Sequence, residues 1–318
     1  MHYNLKLQDK VKLIKNVIVN FLESTNLSDH CLTKMPTSEV LSLAIISSMD
    51  NGNNHQKTLS EFRNLKVFNY TLSKSQFSRR LSLVIDYIPT LIEQIAIYSE
   101  TSLSDNFPLK QIERNIYKVD TKPIPICKNI RIANCHLVNN HKSKQKIRSL
   151  TTGRIRRVVD EDYRGYCASK REHYYGLKLN TITNCLNLPR EYSIHCGRTG
   201  DLDCIKSLNL NLPKDSLLLG DKAYNSKDLE SDLQNNPQYN IRLSPIRKRN
   251  TKQMGNSDYY QELSNRILRR SIETFFSQIE KLTNNIHATT IDGFVSKVHI
   301  SILAYSFSQL IKLGLLTT

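Results

Sequence analysis

Three carboxylates carry the chemistry this chain is best equipped for. Asp120 follows the apolar run Ile116-Tyr117-Lys118-Val119, Asp221 follows Leu217-Leu218-Leu219-Gly220, and Glu273 stands in Arg269-Arg270-Ser271-Ile272-Glu273-Thr274-Phe275-Phe276. Hard divalent cations take oxygen ligands, and Mg²⁺ keeps several of its own waters, so few protein ligands suffice. Two such ions about 3.5–4 Å apart activate an attacking oxygen and stabilise a leaving one at phosphorus. A fold that gathers the three acids would therefore hold Mg²⁺ or Mn²⁺, two ions together, and cut or join phosphodiester bonds. Each acid alone has a plainer reading. Asp120 would be a turn residue ahead of Pro123, and Asp221 a cap on Gly220-Asp221-Lys222. Glu273 would be a surface partner of Arg269 four residues earlier, worth only about 0.3–0.5 kcal/mol. The elements that position them separate these readings.

Both aspartates end short apolar runs that read as buried strands, at 116–119 and 217–219. Between them come strands at 174–182 and 192–195, joined through 184–189, and a short helix at 202–208. A helix at 227–233, a strand at 241–246 whose Pro245 marks its end, and a long helix at 259–282 follow. This order predicts the α/β (α+β) class, a mixed sheet with flanking helices, and it is the order of a ribonuclease-H-like fold. There the ends of the first and fourth strands are neighbours and the last helix crosses beside them, which would bring Asp120, Asp221 and Glu273 together. Residues 1–110 read as an all-helical N-terminal region, with Val11, Ile14, Ile18, Phe21 and Leu22 on one helical face. The helices expected at 58–66 and 73–86 resemble a helix-turn-helix unit with a long connection. They would offer Lys74, Arg79 and Arg80 to a DNA groove. The expected division is thus 1–110 for DNA binding and 111–318 for catalysis, with a basic insertion at about 128–172 and a C-terminal docking helix.

The net charge of +16, from 45 Lys+Arg against 29 Asp+Glu, favours a polyanionic partner, because phosphate contacts release counterions. From 128 to 178 there are 13 Lys/Arg and 4 Asp/Glu. This polar stretch reads as a long basic loop beside the acidic site, with Lys170 and Arg171 among its cations. Lys122, Lys222, Arg247, Lys248, Arg249, Arg269 and Arg270 crowd the strand ends and the long helix, where they would bind DNA backbone and balance the carboxylates. The seven cysteines include no C-x-x-C pair, which fits a reduced, cytoplasmic setting and argues against structural zinc. The apolar segment 294–316 is broken by Lys297, His299 and Lys312 and reads as a docked helix; no membrane partner is expected. Phosphate-binding G-x-x-x-x-G-K-[ST], G-x-S-x-G and H-E-x-x-H motifs are all missing from the sequence.

Six blocks carry a resemblance. They are Val119-Asp120-Thr121-Lys122-Pro123-Ile124-Pro125-Ile126-Cys127, Tyr163-Arg164-Gly165-Tyr166-Cys167-Ala168-Ser169-Lys170, Tyr175-Gly176-Leu177-Lys178, Leu219-Gly220-Asp221-Lys222-Ala223-Tyr224, Pro245-Ile246-Arg247-Lys248 and Ile272-Glu273-Thr274-Phe275-Phe276-Ser277-Gln278. In order and spacing the chain resembles bacterial DDE transposases of the insertion-sequence-982 family, strongly over 115–305 and more loosely in the helical region. The resemblance implies an enzyme that binds the terminal inverted repeats of its own element in double-stranded DNA. It would cleave the ends and join the freed 3′ hydroxyls to target DNA, working as a homodimer or larger complex. Asp120, Asp221 and Glu273 match the family's acidic triad. Wider relatives carry Tyr-x2-Arg-x3-Glu-x6-Lys around the Glu. Here Arg269 and Glu273 fit, Arg266 takes the Tyr position and Glu280 the Lys position, with Lys281 adjacent. Gly200-Asp201 stands where relatives often have His-Asp. The alternatives are a DNA-binding relative that no longer cuts and represses transposition, and a general nuclease of the same fold.

Overall fold

One long strand, β1 (Ile116–Lys128), organises the sheet. The computed structural model describes residues 6–25, 27–106, 115–128, 132, 134–139, 146–148, 155–157, 160–167, 170–208, 210–236, 240–245 and 256–316. Helices precede β1: α1 (Leu7–Ser24), α2 (Thr37–Asn51), α3 (His55–Asn64), α4 (Lys74–Ser82) and α5 (Ile88–Asn106). After it come a helical turn α6 (His136–Asn139) and strands β2 (Lys146–Arg148), β3 (Ile155–Arg157), β4 (Arg164–Cys167), β5 (Glu172–Thr183) and β6 (Pro189–Cys196). Then follow α7 (Asp201–Lys206), β7 (Leu217–Gly220), α8 (Lys227–Asn235), β8 (Arg242–Pro245), α9 (Asn256–Thr283) and α10 (Ile291–Lys312). The chain divides into two compact units. The first is Met1–Pro108 with Ser277–His287 and Asp292–Thr318, and the second is Leu109–Phe276 with Ala288–Ile291. Residues 277–287 and 292–318, grouped with the sheet in the sequence reading, thus cluster with the N-terminal helices.

In the second unit the sheet order is β4-β5-β1-β7-β8, with β6 also on β5. β5 is antiparallel to β1 and carries β4 along its first residues and β6 along its last. β7 runs parallel to β1, and β8 parallel to β7. The first strand was expected to stop at Asp120. It runs eight residues further, to Lys128, through Pro123 and Pro125. The reason lies in the neighbours: among the described residues β7 pairs β1 only over Ile116–Lys118, and beyond that point β1 is paired through β5 alone. A proline that faces away from the single remaining partner removes no ladder bond. The insertion also departs from the expected loop: it holds α6 and an antiparallel hairpin in which Lys146 pairs in register with Arg157.

Residues directly paired in a sheet share a face, and successive residues alternate. Tyr117 and Val119 of β1, Ile182 of β5, Leu218 of β7 and Leu243 of β8 therefore form one apolar face. It is covered by Ile205 of α7, by Leu229 and Leu233 of α8, and by Leu210, Leu212 and Tyr224. Each such buried side chain contributes about 1.5–3 kcal/mol. The opposite face shows Lys118 and Asp120, which meet Ser271 and Arg269 of α9.

The helical unit is built round α2 and α10, both buried along most of their length. Val40, Leu41, Leu43, Ala44, Ile45 and Ile46 are buried on α2, as are Val298, Ile300, Ile302, Leu303 and Phe307 on α10. α10 is long and apolar enough to cross a membrane, yet most of its apolar stretch is buried inside this unit. α4 begins with a full capping box: the Ser73 hydroxyl accepts from the Gln76 backbone, and the Gln76 side chain accepts from the Ser73 backbone. Such a cap is worth about 1 kcal/mol. α3 and α4 meet through the His55 ring edge-on to Phe77 at 5.0 Å, across a connection of nine residues.

Candidate active site

Asp120 lies where β1 loses its parallel neighbour. The register Ile116↔Leu217, Tyr117↔Leu218, Lys118↔Leu219 ends two residues before Asp120 on β1 and two before Asp221, the residue after β7. Both Asp120 oxygens are engaged. Oδ1 accepts the Thr121 N–H at 2.8 Å, and Oδ2 accepts Arg269 Nη1 at 3.0 Å. Burial pushes this carboxyl up to about 6; Thr121 and Arg269 oppose the rise, and the like charges of Asp221 and Asp201 add to it.

Asp221 caps the single turn Lys222–Tyr224, its Oδ1 accepting the Ala223 N–H at 2.7 Å. The capping role and the position beside Asp120 are compatible, because the second carboxylate oxygen stays open to another ligand. Tyr224 closes this turn with its ring in the apolar core. Its hydroxyl is buried and lacks a hydrogen-bond partner. Burial, then the charges of Asp120, Asp201 and Asp221, hold that phenol far above its ordinary range.

Glu273 is on α9, one helical turn from Arg269. Arg269 Nη2 is 3.6 Å from Glu273 Oε1, so one guanidinium touches both Asp120 and Glu273. The two acids differ in setting: Asp120 is 22% exposed and Glu273 65%. Lys118, two residues before Asp120 on the same face of β1, also ties the strand to α9. Its buried ammonium donates to Ser271 Oγ at 2.9 Å and to Asn187 Oδ1 at 2.7 Å. Burial pulls it down to about 8.

Sequence reasoning overlooked a role for Asp201, at the start of α7. Its Oδ1 accepts the Thr121 hydroxyl at 2.8 Å and Lys178 Nζ at 3.1 Å. It had drawn notice only beside Gly200; the signal available was an acid at the first position of a short helix. Among the expected DNA contacts, Lys122 is half-buried on the Asp120 face of β1. Lys170 and Arg171 are exposed at the β4–β5 turn, Lys222 is exposed beside Asp221, and Arg270 is exposed on α9. Lys74 and Arg79 are exposed on α4. Arg80 is turned inward, its Nη2 2.7 Å from Asp29 Oδ1 and also on the Met35 carbonyl and Thr37 hydroxyl. Arg247, Lys248 and Arg249 lie outside the described residues.

The family model for the transposase DDE domain matches residues 113–307, more than half of the chain. The chain belongs to the DDE transposase family. No curated protein and no solved structure matched it. The match spans β1, β7 and α9, and so all three acids of the candidate site.

DDE transposases generally use divalent metals. The donor set here fits a hard cation: two carboxylates, each two residues past the last β1–β7 pair, of which Asp221 uses one oxygen as a cap and keeps the other for a ligand. The third acid is parted from them by the Arg269 guanidinium. Among the described residues no group of three or more His, Cys, Asp or Glu side chains converges as metal ligands.

Proposed function

We propose that this DDE transposase acts on the terminal inverted repeats of its own insertion element, one of the insertion-sequence-982 type. It cleaves the ends and transfers the strands to target DNA by two-metal phosphodiester chemistry. The observation that carries the reading is that Asp120 and Asp221 each stand two residues beyond Lys118↔Leu219, the last pair of parallel β1 and β7, with Arg269 linking Asp120 to Glu273. The antiparallel β6-β5-β1 run, continued by parallel β7 and β8, supports the ribonuclease-H-like assignment of this unit.

In this reading Asp120, Asp221 and Glu273 hold Mg²⁺ or Mn²⁺, which supplies an activated oxygen nucleophile and stabilises the leaving oxygen. Arg269 positions Asp120 and Glu273, and Lys118 fixes α9 against β1. Lys122, Lys170, Arg171, Lys222, Arg270 and the run Arg247-Lys248-Arg249 bind DNA backbone. Lys74 and Arg79 on α4 meet the element end, whereas Arg80 serves the fold through Asp29. By function the division is an N-terminal DNA-binding region over 1–110 and a catalytic domain over 111–318, although 277–287 and 292–318 of the latter cluster with the N-terminal helices. The working form is a homodimer or larger assembly on DNA, in the bacterial cytoplasm.

Purified full-length protein should nick and strand-transfer a DNA end bearing the element's repeat in Mg²⁺ or Mn²⁺. Asp120→Ala, Asp221→Ala and Glu273→Ala should each abolish both steps. Retained activity in these variants sinks the site assignment. One observation favours a second reading, a DNA-binding relative that represses transposition: the guanidinium stands between Asp120 and Glu273. Metal-independent binding of the repeat with no cleavage under any divalent ion supports that reading instead.

A further inference from the structure

We infer that Asp201 is a positioning residue for the Asp120 carboxylate and acts through Thr121; this rests on the metal-binding reading of the site. Asp120 and Thr121 are adjacent on β1 and project from opposite faces of the sheet. The Asp120 face meets α9, and the Thr121 face meets α7. At Thr121 the strand has just left β7 and, among the described residues, keeps β5 alone as a paired neighbour. Its N–H therefore turns to Asp120 Oδ1, at 2.8 Å. A ligand held by a strand with one free edge drifts unless something fixes that strand.

Asp201 supplies the fixation from the other face. Its Oδ1 accepts the Thr121 hydroxyl at 2.8 Å, and the same oxygen accepts Lys178 Nζ at 3.1 Å. Lys178 pairs in register with Pro123, and its Nζ also donates to the Thr199 carbonyl just ahead of α7. β1, β5 and the start of α7 are thus locked at one point, next to the residue that orients Asp120. An unbroken path runs from Lys178 through Asp201, Thr121, Asp120 and Arg269 to Glu273. Groups that orient a metal ligand from behind typically contribute about 10–100-fold in metal affinity.

The test is Mn²⁺ binding by the full-length protein, read from the electron paramagnetic resonance signal of free Mn²⁺, with thermal unfolding in parallel. Asp201→Ala and Thr121→Val should each weaken binding about 10-fold. The double variant should be no weaker than either single one, and Thr121→Ser, which keeps the hydroxyl, should bind as wild type. Wild-type affinity in Asp201→Ala overturns the inference. So does a loss in Asp201→Ala with none in Thr121→Val, since Asp201 would then act directly. Should Asp201→Ala fail to fold with Lys178 stranded, the Thr121→Val and Thr121→Ser pair decides, because Val matches Thr in shape. Asp120→Ala separates the two levels. If it leaves Mn²⁺ binding intact, the reading of the site falls and the inference with it. If it abolishes binding while Asp201→Ala and Thr121→Val do not weaken it, only the inference falls.

Discussion

Burial pushes the Asp120 carboxyl up to about 6 from an ordinary 3.8. The folded chain therefore holds a proton there that the unfolded chain has lost, over the window between these two values. The raised value means stability is greatest below the window and falls as pH rises through it, by about 3 kcal/mol for two units. Thermal unfolding without metal should show that loss between about pH 4 and 6, and Asp120→Asn should flatten it. A divalent cation needs the ionised carboxylate, so Mn²⁺ should stabilise the protein increasingly as pH rises through about 6. At this scale the strand that ends just before Asp221 and the Arg269–Glu273 spacing were legible in the sequence, because a short apolar run and a helical turn are local. Asp201 and Lys118 were not. The Asp201 partner is 80 residues away and the Lys118–Ser271 contact spans 153, so sheet register alone brings them together.

Among the elements, β5 and β1 hold the site, and at Gly176 they leave no room for a side chain. A Cβ there would run into the Ile124 carbonyl and the Ile126 amide of β1. That is where the β1–β5 register shifts, between Pro125 and Cys127. Gly176→Ala should cost about 1–3 kcal/mol in denaturant unfolding and loosen the far end of β1, because backbone atoms must move to admit it. Gly165 plays the same part against the Tyr174 ring. Both glycines stood in the family blocks with no stated reason; the reason is steric and appears only once the strands are paired. Most strands and helices were readable from periodicity and capping, including Ser73 ahead of α4. The continuation of β1 was not, since two prolines in a strand read as its end unless one edge is known to be open. The hairpin inside the insertion was also missed, because its strands are three residues long and rich in charge.

For the molecule as a whole, the excess of 16 positive charges governs how the proposed binding to DNA responds to salt. Binding to a repeat-bearing duplex should weaken by about 10³-fold or more between roughly 50 and 200 mM salt, if at least about six phosphates are neutralised. Asp120→Asn should follow the same salt slope, since it removes chemistry and leaves the phosphate contacts in place; a flat response would rule out backbone binding as the source of affinity. Composition alone gave this property, whereas the grouping of 277–287 and 292–318 with the N-terminal helices was hidden from it. β1 carries a last consequence for how copies of the protein meet one another. Where β7 ends, β1 presents a row of main-chain groups that another extended segment could zip onto. Pro123 and Pro125, two residues apart on that stretch of β1, carry no N–H and so withhold donors that such pairing needs. With Pro123→Ala and Pro125→Ala together, purified protein should scatter light on concentration while the unchanged chain stays clear, so the same residues that let the strand run past its neighbour also keep it from sticking to strangers.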